Sequence, residues 1–375
     1  MGPGIRSRLL GLPLALLATS AALLAIDGCT IINGLVVPVE AGPTPAATTT
    51  TPDAAQDSGD GCNHTMPPER PTVPDTPEQQ TIVIVAKQIL LATPAGAEPV
   101  GYDLDEICTT NKPTETCLSD KPHNDPAGGI DNNAGDLFTQ VKSRTDVEQR
   151  INDGIALGKG SLLIRLSGYN GTPDDANVVV SIYASPGLLD YGGQPQPPSF
   201  VATEAWSLDD GQFTAITPDL PVTTTTGYVA GGVVVAFLAS VNLSVSSSFG
   251  IKLKSAVLTA DLDFTGPKPT MSGGIIAGRW AASDLLRVVA QQRTTDGGKA
   301  LCMDPINYGI AKAVVCADLD IMADRIADRS GLACNATSAS VRFVGGAASL
   351  GAKRKTVADD PCPTFPSDSC RPDGG

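Results

Sequence analysis

The chain has 375 residues, 42% of them hydrophobic, with Lys and Arg at 26 against Asp and Glu at 40, a net charge of -14 and a pI near 4.5. Such a chain can bury a sizeable core, which excludes a mainly disordered protein, and it lacks the positive charge that binding to a phosphate backbone requires, so no nucleic acid is expected as a partner. Aromatic residues at 4% argue against a sugar-stacking groove, and two histidines, His64 and His123, leave little scope for histidine-based catalysis.

Residues 1–29 open with Arg6 and Arg8, continue through an uncharged apolar stretch from Leu9 to Ile26, and close on Asp27, Gly28 and Cys29. That order of regions is a secretion signal. Ile26-Asp27-Gly28-Cys29 resembles the bacterial lipobox, an aliphatic residue three before a cysteine and a small residue one before it, with Asp27 where Ala, Ser or Thr is usual. The resemblance implies removal of residues 1–28 as a signal peptide, a diacylglycerol thioether on Cys29, and a further acyl chain such as palmitate on the new amine. Two or more chains anchor stably where one does not. Thr30 after the cysteine, rather than Asp, implies the outer membrane under the sorting rule of enteric lipoproteins, facing the periplasm or the cell surface. Ordinary signal-peptidase cleavage and a retained helix are the alternative readings, the second weakened by Gly11, Pro13 and the Thr19-Ser20 pair.

From Val39 to Gln80 the sequence is rich in Pro, Thr, Ala and Asp, including Thr48 to Thr51, and reads as a disordered tether within residues 29–80. The folded part, residues 81–350, starts at Thr81-Ile82-Val83-Ile84-Val85. Strict alternation follows in Leu162, Ile164 and Leu166, in Val178, Val180 and Ile182, in Val241, Leu243 and Val245, and in Leu258, Ala260, Leu262 and Phe264, with Ile275 to Trp280 a further strand. A period of two means one buried and one wet face, and consecutive strands with short connections mean an antiparallel sheet. Without a repeated strand-helix alternation to supply covering helices, a second sheet is the expected cover. The expected fold is therefore mainly β, an antiparallel β-sandwich with a few peripheral helices. Thr145 with Glu148 reads as a capping box, Ser283 as a cap ahead of Leu285, Leu286 and Val289, and Asp304-Pro305 as the start of a helix carrying Ile306, Ile310, Ala313 and Val314. These place a helical part at about 281–335, followed by a Cys- and Pro-rich tail over 351–375.

Setting Cys29 aside leaves eight cysteines, Cys62, Cys108, Cys117, Cys302, Cys316, Cys334, Cys362 and Cys370, an even number in an exported chain and therefore a disulfide set. With no Cys-x-x-Cys pair, zinc is not expected. Local bridges Cys108–Cys117 and Cys362–Cys370 are expected across the prolines between them, and Cys62, Cys302, Cys316 and Cys334 are left unassigned.

Asp103 and Asp105, then Asp131 and Asn132 beyond Gly128-Gly129, supply the hard oxygens that calcium takes, and the stretch loosely resembles the Asp-rich calcium loops of secreted bacterial proteins. Calcium at Asp103, Asp105, Asp131 and Asn132 is the expectation, with turn formation by the same residues as its alternative. Asn170 to Asn177 is a weaker candidate of the same kind, and Asp318, Asp320, Asp324 and Asp328 read as a solvated helix face paired with Arg325 and Arg329. Glu204, Asp209 and Asp210 do not form the Glu-x-Asp-x-x-Glu of jelly-roll glucanases. Gly-x-Ser-x-Gly, His-Glu-x-x-His and a P-loop are absent. No catalytic residue is assigned. The chain resembles uncharacterised Gram-negative envelope lipoproteins, which implies a non-catalytic module anchored to the membrane by lipid and binding a glycan, a peptide or an envelope protein. A carbohydrate-active enzyme with an unfamiliar carboxylate pair is the alternative. Cys29→Ala is expected to abolish metabolic labelling with palmitate and to release the protein from the membrane fraction, measured by fractionation and immunoblotting.

Overall fold

The computed structural model describes residues 62–74, 80–91, 99–109, 116–141, 147–215, 219–221, 223–246, 249–265, 269–293, 298–356 and 360–371. The signal segment, Cys29, the first part of the tether and Thr145 lie outside them. Ten strands are described: β1 (Gln80–Leu90), β2 (Ser161–Tyr169), β3 (Asp175–Ser185), β4 (Ala205–Asp209), β5 (Thr224–Ala230), β6 (Val233–Ser246), β7 (Phe249–Asp263), β8 (Thr270–Ala281), β9 (Ala336–Ala347) and β10 (Ser349–Arg354). All but β4 and β10 form one antiparallel sheet, and β9 pairs back onto β1, Ile84 with Ala347 and Leu90 with Arg342, so the sheet closes into a barrel. The mainly β, antiparallel class agrees with the sequence. The sandwich does not: alternation specifies one apolar face per strand, and a sheet closed on itself buries that face as well as a second sheet would.

The inward set is the one the alternation marked. Leu162, Ile164, Leu166, Val178, Val180, Val241, Leu243, Leu258 and Ala260 are buried in one core with Ile276, Val341 and Phe343. The space left among Ile89, Leu91, Leu162, Leu243, Ile251, Ile276, Val341 and Phe343 is about 10 Å³, barely enough for one water. This part of the barrel is a packed interior and offers no room for a ligand. Where β8 shifts register between Met271 and Gly274, Gly274 stands opposite Phe343, and a Cβ on Gly274 would lie 2.5 Å from the Phe343 ring. The missing side chain is filled by the neighbouring ring, a device that lets a strand bend without leaving a hole.

Helices α1 (Asn133–Val141), α2 (Val147–Ala156) and α3 (Ala282–Gln291) contribute Leu137, Ile151, Ile155, Leu285 and Leu286 to the same core. α4 (Pro305–Ala317) begins as expected, with Pro305 in its first turn and the Asp304 carboxylate accepting from the Asn307 N–H at 3.2 Å. Ser283 does not cap α3. The capping position is Ala281, which supplies no side-chain acceptor.

Two layers cover the outside of the barrel. The parallel pair β4–β10 lays Trp206 and Leu208 over Val85, Leu163 and Tyr183, which is why β2 is buried on both faces although only one was marked by alternation. The second layer is built from residues 99–109, 116–132 and 318–335, joined by a parallel bridge from Leu118 to Ala333. It rests on β7, β8 and β9 through Tyr102, whose hydroxyl bonds Thr259 at 2.8 Å, and through Arg279. Residues 62–74, read from the sequence as tether, lie along the domain. Thr65 donates to the Gly128 carbonyl at 2.8 Å, and Arg70 stands 4.9 Å over the Tyr228 ring.

The disulfides are Cys62–Cys108, Cys117–Cys334, Cys302–Cys362 and Cys316–Cys370. Cys108, Cys117, Cys362 and Cys370 are all bonded, but neither expected local pair forms. The Leu118–Ala333 bridge sets Cys117 beside Cys334, 217 residues away, and each bond fastens one covering segment to another part of the fold. Closing a long loop also removes more entropy from the unfolded chain than closing a short one. Gly274→Ala is expected to destabilise the protein by about 1–3 kcal/mol through overpacking against Phe343, with Phe343→Leu in the same chain recovering part of the loss, measured by denaturant unfolding.

Candidate metal centre

The chain from Asp103 to Ile107 folds back on its own carboxylates. Asp103 Oδ1 accepts the Glu106 N–H at 2.6 Å and Asp105 Oδ1 the Ile107 N–H at 2.9 Å, turns that Asp favours because a short side chain reaches its own backbone. Residues 129–131 run back alongside, the Asp131 N–H donating to the Tyr102 carbonyl, and Asp131 Oδ2 accepts the Leu104 N–H at 2.6 Å. The return needs the Gly128-Gly129 pair: both have positive φ, and a Cβ on Gly129 would lie 2.6 Å from Asp103 Oδ2 and 2.8 Å from Cys108 Sγ.

The result is a buried trio. Asp103, Asp105 and Asp131 each offer a carboxylate oxygen, and these oxygens lie within 4.8 Å of one another. The sequence named all three. Asn132, named with them, is spent elsewhere: its Oδ1 accepts from the N–H groups of Gly135 and Ser340, and its amide donates to the Val100 carbonyl, so it ties the start of α1 to β9.

Burial raises the Asp131 carboxyl well above its ordinary value, reinforced by the charges of Asp105, Asp320 and Asp125. Asp105 is pushed up to about 7, first by burial and then by Asp103 and Asp125, against a lowering hydrogen bond from Thr116. Asp320 is raised to about 7 by burial despite bonds from the Ser338 N–H and hydroxyl, and Asp125 to about 6, also chiefly by burial. Asp125 and Asp320 thus belong to the electrostatics of the site although the sequence did not assign them there. For Asp320 no signal existed. The alternating aspartates around it read as a helix face, whereas the structure has only a 3-10 turn at Arg325–Ala327, with Asp318 and Asp320 buried, Asp328 on Arg279 and Arg325 on Glu106. His64 Nδ1 pairs with Asp103 Oδ2, bringing residues 62–74 onto the rim of the site. Cys62, His64 and Cys108 are also grouped within 4.8 Å, but the two sulfurs are bonded to each other and are not thiolate ligands.

The weaker candidates resolve into turns. Asp175 accepts the Asn170 and Asn177 N–H groups and Asn170 accepts from Thr172 in the loop between β2 and β3. Glu204 accepts from the backbone of Ser199 and Phe200, and Asp209 from Gly211 and the Thr356 hydroxyl. A surface cavity of about 570 Å³ is lined by Leu118, Asp120, Leu319, Arg371 and the Cys316–Cys370 bridge. The carboxylate trio does not line it. An arrangement of three buried carboxylates fed by backbone N–H groups can hold a bare cation, and has no opening onto that cavity for a sugar.

Comparison of the chain with protein families, with curated proteins and with solved structures gives no match.

Raised carboxyl pKa values mean that the folded state holds protons the unfolded state releases. In chelator, stability is therefore expected to be fully present below about pH 4 and to fall as the pH rises through 7, by up to about 1.4 kcal/mol per pH unit for each proton retained. Asp105→Asn should flatten that slope, as read by urea unfolding across the pH range.

Proposed function

We propose that this chain is a non-catalytic, lipid-anchored envelope protein whose barrel domain is a binding or structural module, and that Asp103, Asp105 and Asp131 take a calcium ion. The observation that carries the ion is the burial of three carboxylates whose oxygens approach within 4.8 Å. Concentrated negative charge under a covering layer is costly unless protons or a cation offset it, and oxygen-only ligation of an irregular, loop-built kind suits calcium better than magnesium, which demands a tight octahedral shell. The ion would fasten residues 103–107 to residues 129–131 at the place where residues 62–74 and the Cys62–Cys108 bond also converge. It would thereby stiffen the layer that covers β7 to β9. The lipid anchor is supported by the lipobox-like residues and the disulfide set by the export that such an anchor requires. The outer membrane and a glycan, peptide or protein partner remain parts of the same proposal.

The hydrolase alternative receives no support from these carboxylates. A glycosidase pair flanks an open cleft with room for a sugar ring, whereas Asp103, Asp105 and Asp131 are 4, 7 and 4% exposed. Calcium is expected to raise the melting temperature of the purified protein, since a ligand bound only by the folded state stabilises it, and magnesium to do less. Asp131→Ala should abolish the calcium response with the fold retained, measured by differential scanning calorimetry and circular dichroism in calcium and in chelator. Identical melting in the two buffers would reject the ion.

A further inference from the structure

Helix α4 leaves a long apolar stripe uncovered. The stripe that its sequence spacing marks as apolar faces outward: Met303 in the preceding turn, then Ile306, Ile310 and Val314, are 57, 77, 56 and 41% exposed. Gly309, Ala313 and Ala317, also exposed, run beside them at every fourth position, and a Cβ on Gly309 would meet nothing within 4 Å. The opposite side faces the protein, with Val315 buried in the main core. Tyr308 is buried with its hydroxyl on Asp368 at 2.8 Å and its ring against Phe365, and Lys312, the one charged residue of α4, reaches the same Asp368 at 2.6 Å.

This orientation is held from both ends. Cys302, just before α4, is bonded to Cys362, and Cys316, in its last turn, to Cys370. The two bonds and the Asp368 contacts fix which face points out, so the helix cannot roll to bury its isoleucines. An apolar stripe of this length on a rigid, twice-stapled helix is the pattern of a surface that is covered by something else.

We propose that α4 is a self-association surface, pairing with α4 of a second copy of this chain about a two-fold axis near Ile310. The stripe carries no charge, so it is complementary to itself even in a chain of net charge -14, and two copies meet without placing like charges across the seam. Small residues at positions 309, 313 and 317 leave a shallow groove between the larger side chains. A helix backbone fits such a groove, whereas fluid lipid gains nothing from it. In an antiparallel pair, Ile306 lies against Val314 of the partner subunit. Roughly 500 Å² per copy is available, so the pair covers on the order of 1,000 Å² in all, the size at which specific interfaces begin, which fits a reversible dimer. The pairing does not depend on calcium or on the lipid anchor.

The test uses residues 57–375, which form one compact unit containing all four disulfides, so that no acyl chain or signal segment enters the measurement. Sedimentation velocity over a concentration series is expected to show a monomer–dimer equilibrium. Ile310→Glu is expected to leave a monomer at every concentration with the melting temperature of the dilute, monomeric wild-type unit, because that side chain points away from the domain, and Gly309→Leu to weaken the dimer at least tenfold by filling the groove. A wild-type unit that remains monomeric at the highest concentration reached overturns the proposal, as does a dimer that Ile310→Glu leaves intact. Co-sedimentation of a monomeric unit with phosphatidylcholine vesicles, lost in Ile310→Glu, would assign the stripe to lipid and overturn it equally.

Discussion

Arg279 stands on the outer wall of the barrel with its side chain wholly removed from water. Its guanidinium donates at 2.6 Å to each oxygen of the Asp328 carboxylate, at 2.9 Å to the Met322 carbonyl and at 2.7 Å to the Leu104 carbonyl. One planar fork thus joins β8 to both halves of the covering layer. Lysine could not replace it, having a single point of charge on a flexible stem. A guanidinium buried this deeply costs several kcal/mol to desolvate, and it is tolerated because four hydrogen bonds meet it in fixed positions. Leu104 lies between Asp103 and Asp105, so the clamp that seats the layer also fixes the backbone that carries the candidate metal centre.

That layer explains why an acidic cluster can be buried at all. Asp103, Asp105 and Asp131 are each met by backbone N–H groups from residues 104, 106 and 107, which stabilise the ionised form. Burial and mutual repulsion act in the opposite direction and prevail at Asp105 and Asp131. The raised carboxyls hold protons that offset the buried charge, and under the proposed function a cation would take their place and likewise let the two loop segments lie together. In the proposed function this makes the domain a calcium-stiffened scaffold, set on a barrel whose interior around Phe343 is filled by its own side chains.

The covalent framework has the same logic. Cys62–Cys108 holds residues 62–74 beside the carboxylates, Cys117–Cys334 ties the two halves of the covering layer, and the remaining two bonds brace α4 against the tail. None lies within the barrel, which is closed by its own hydrogen bonds. The disulfides secure the parts that have too little apolar area to hold themselves in place.

Much of this was legible in the residue pattern and some of it was not. Alternation in β2, β3, β6 and β7 determined the strands and their inward faces, because side chains in a strand must point alternately and apolar ones must leave water. Asp304-Pro305 determined the start of α4, and Asp103, Asp105 and Asp131 were readable as oxygen donors from residue type and the adjacent Gly-Gly turn. All of these are local. The closure of β9 onto β1, the partner of each cysteine, the place of Asp320 beside Asp105, and the diversion of Asn132 to Ser340 depend on contacts between residues far apart in the chain. The outward turn of the α4 stripe was likewise invisible. Spacing shows that a helix has an apolar face, while which way that face points is decided by what lies on either side of it, here Asp368 and two disulfides.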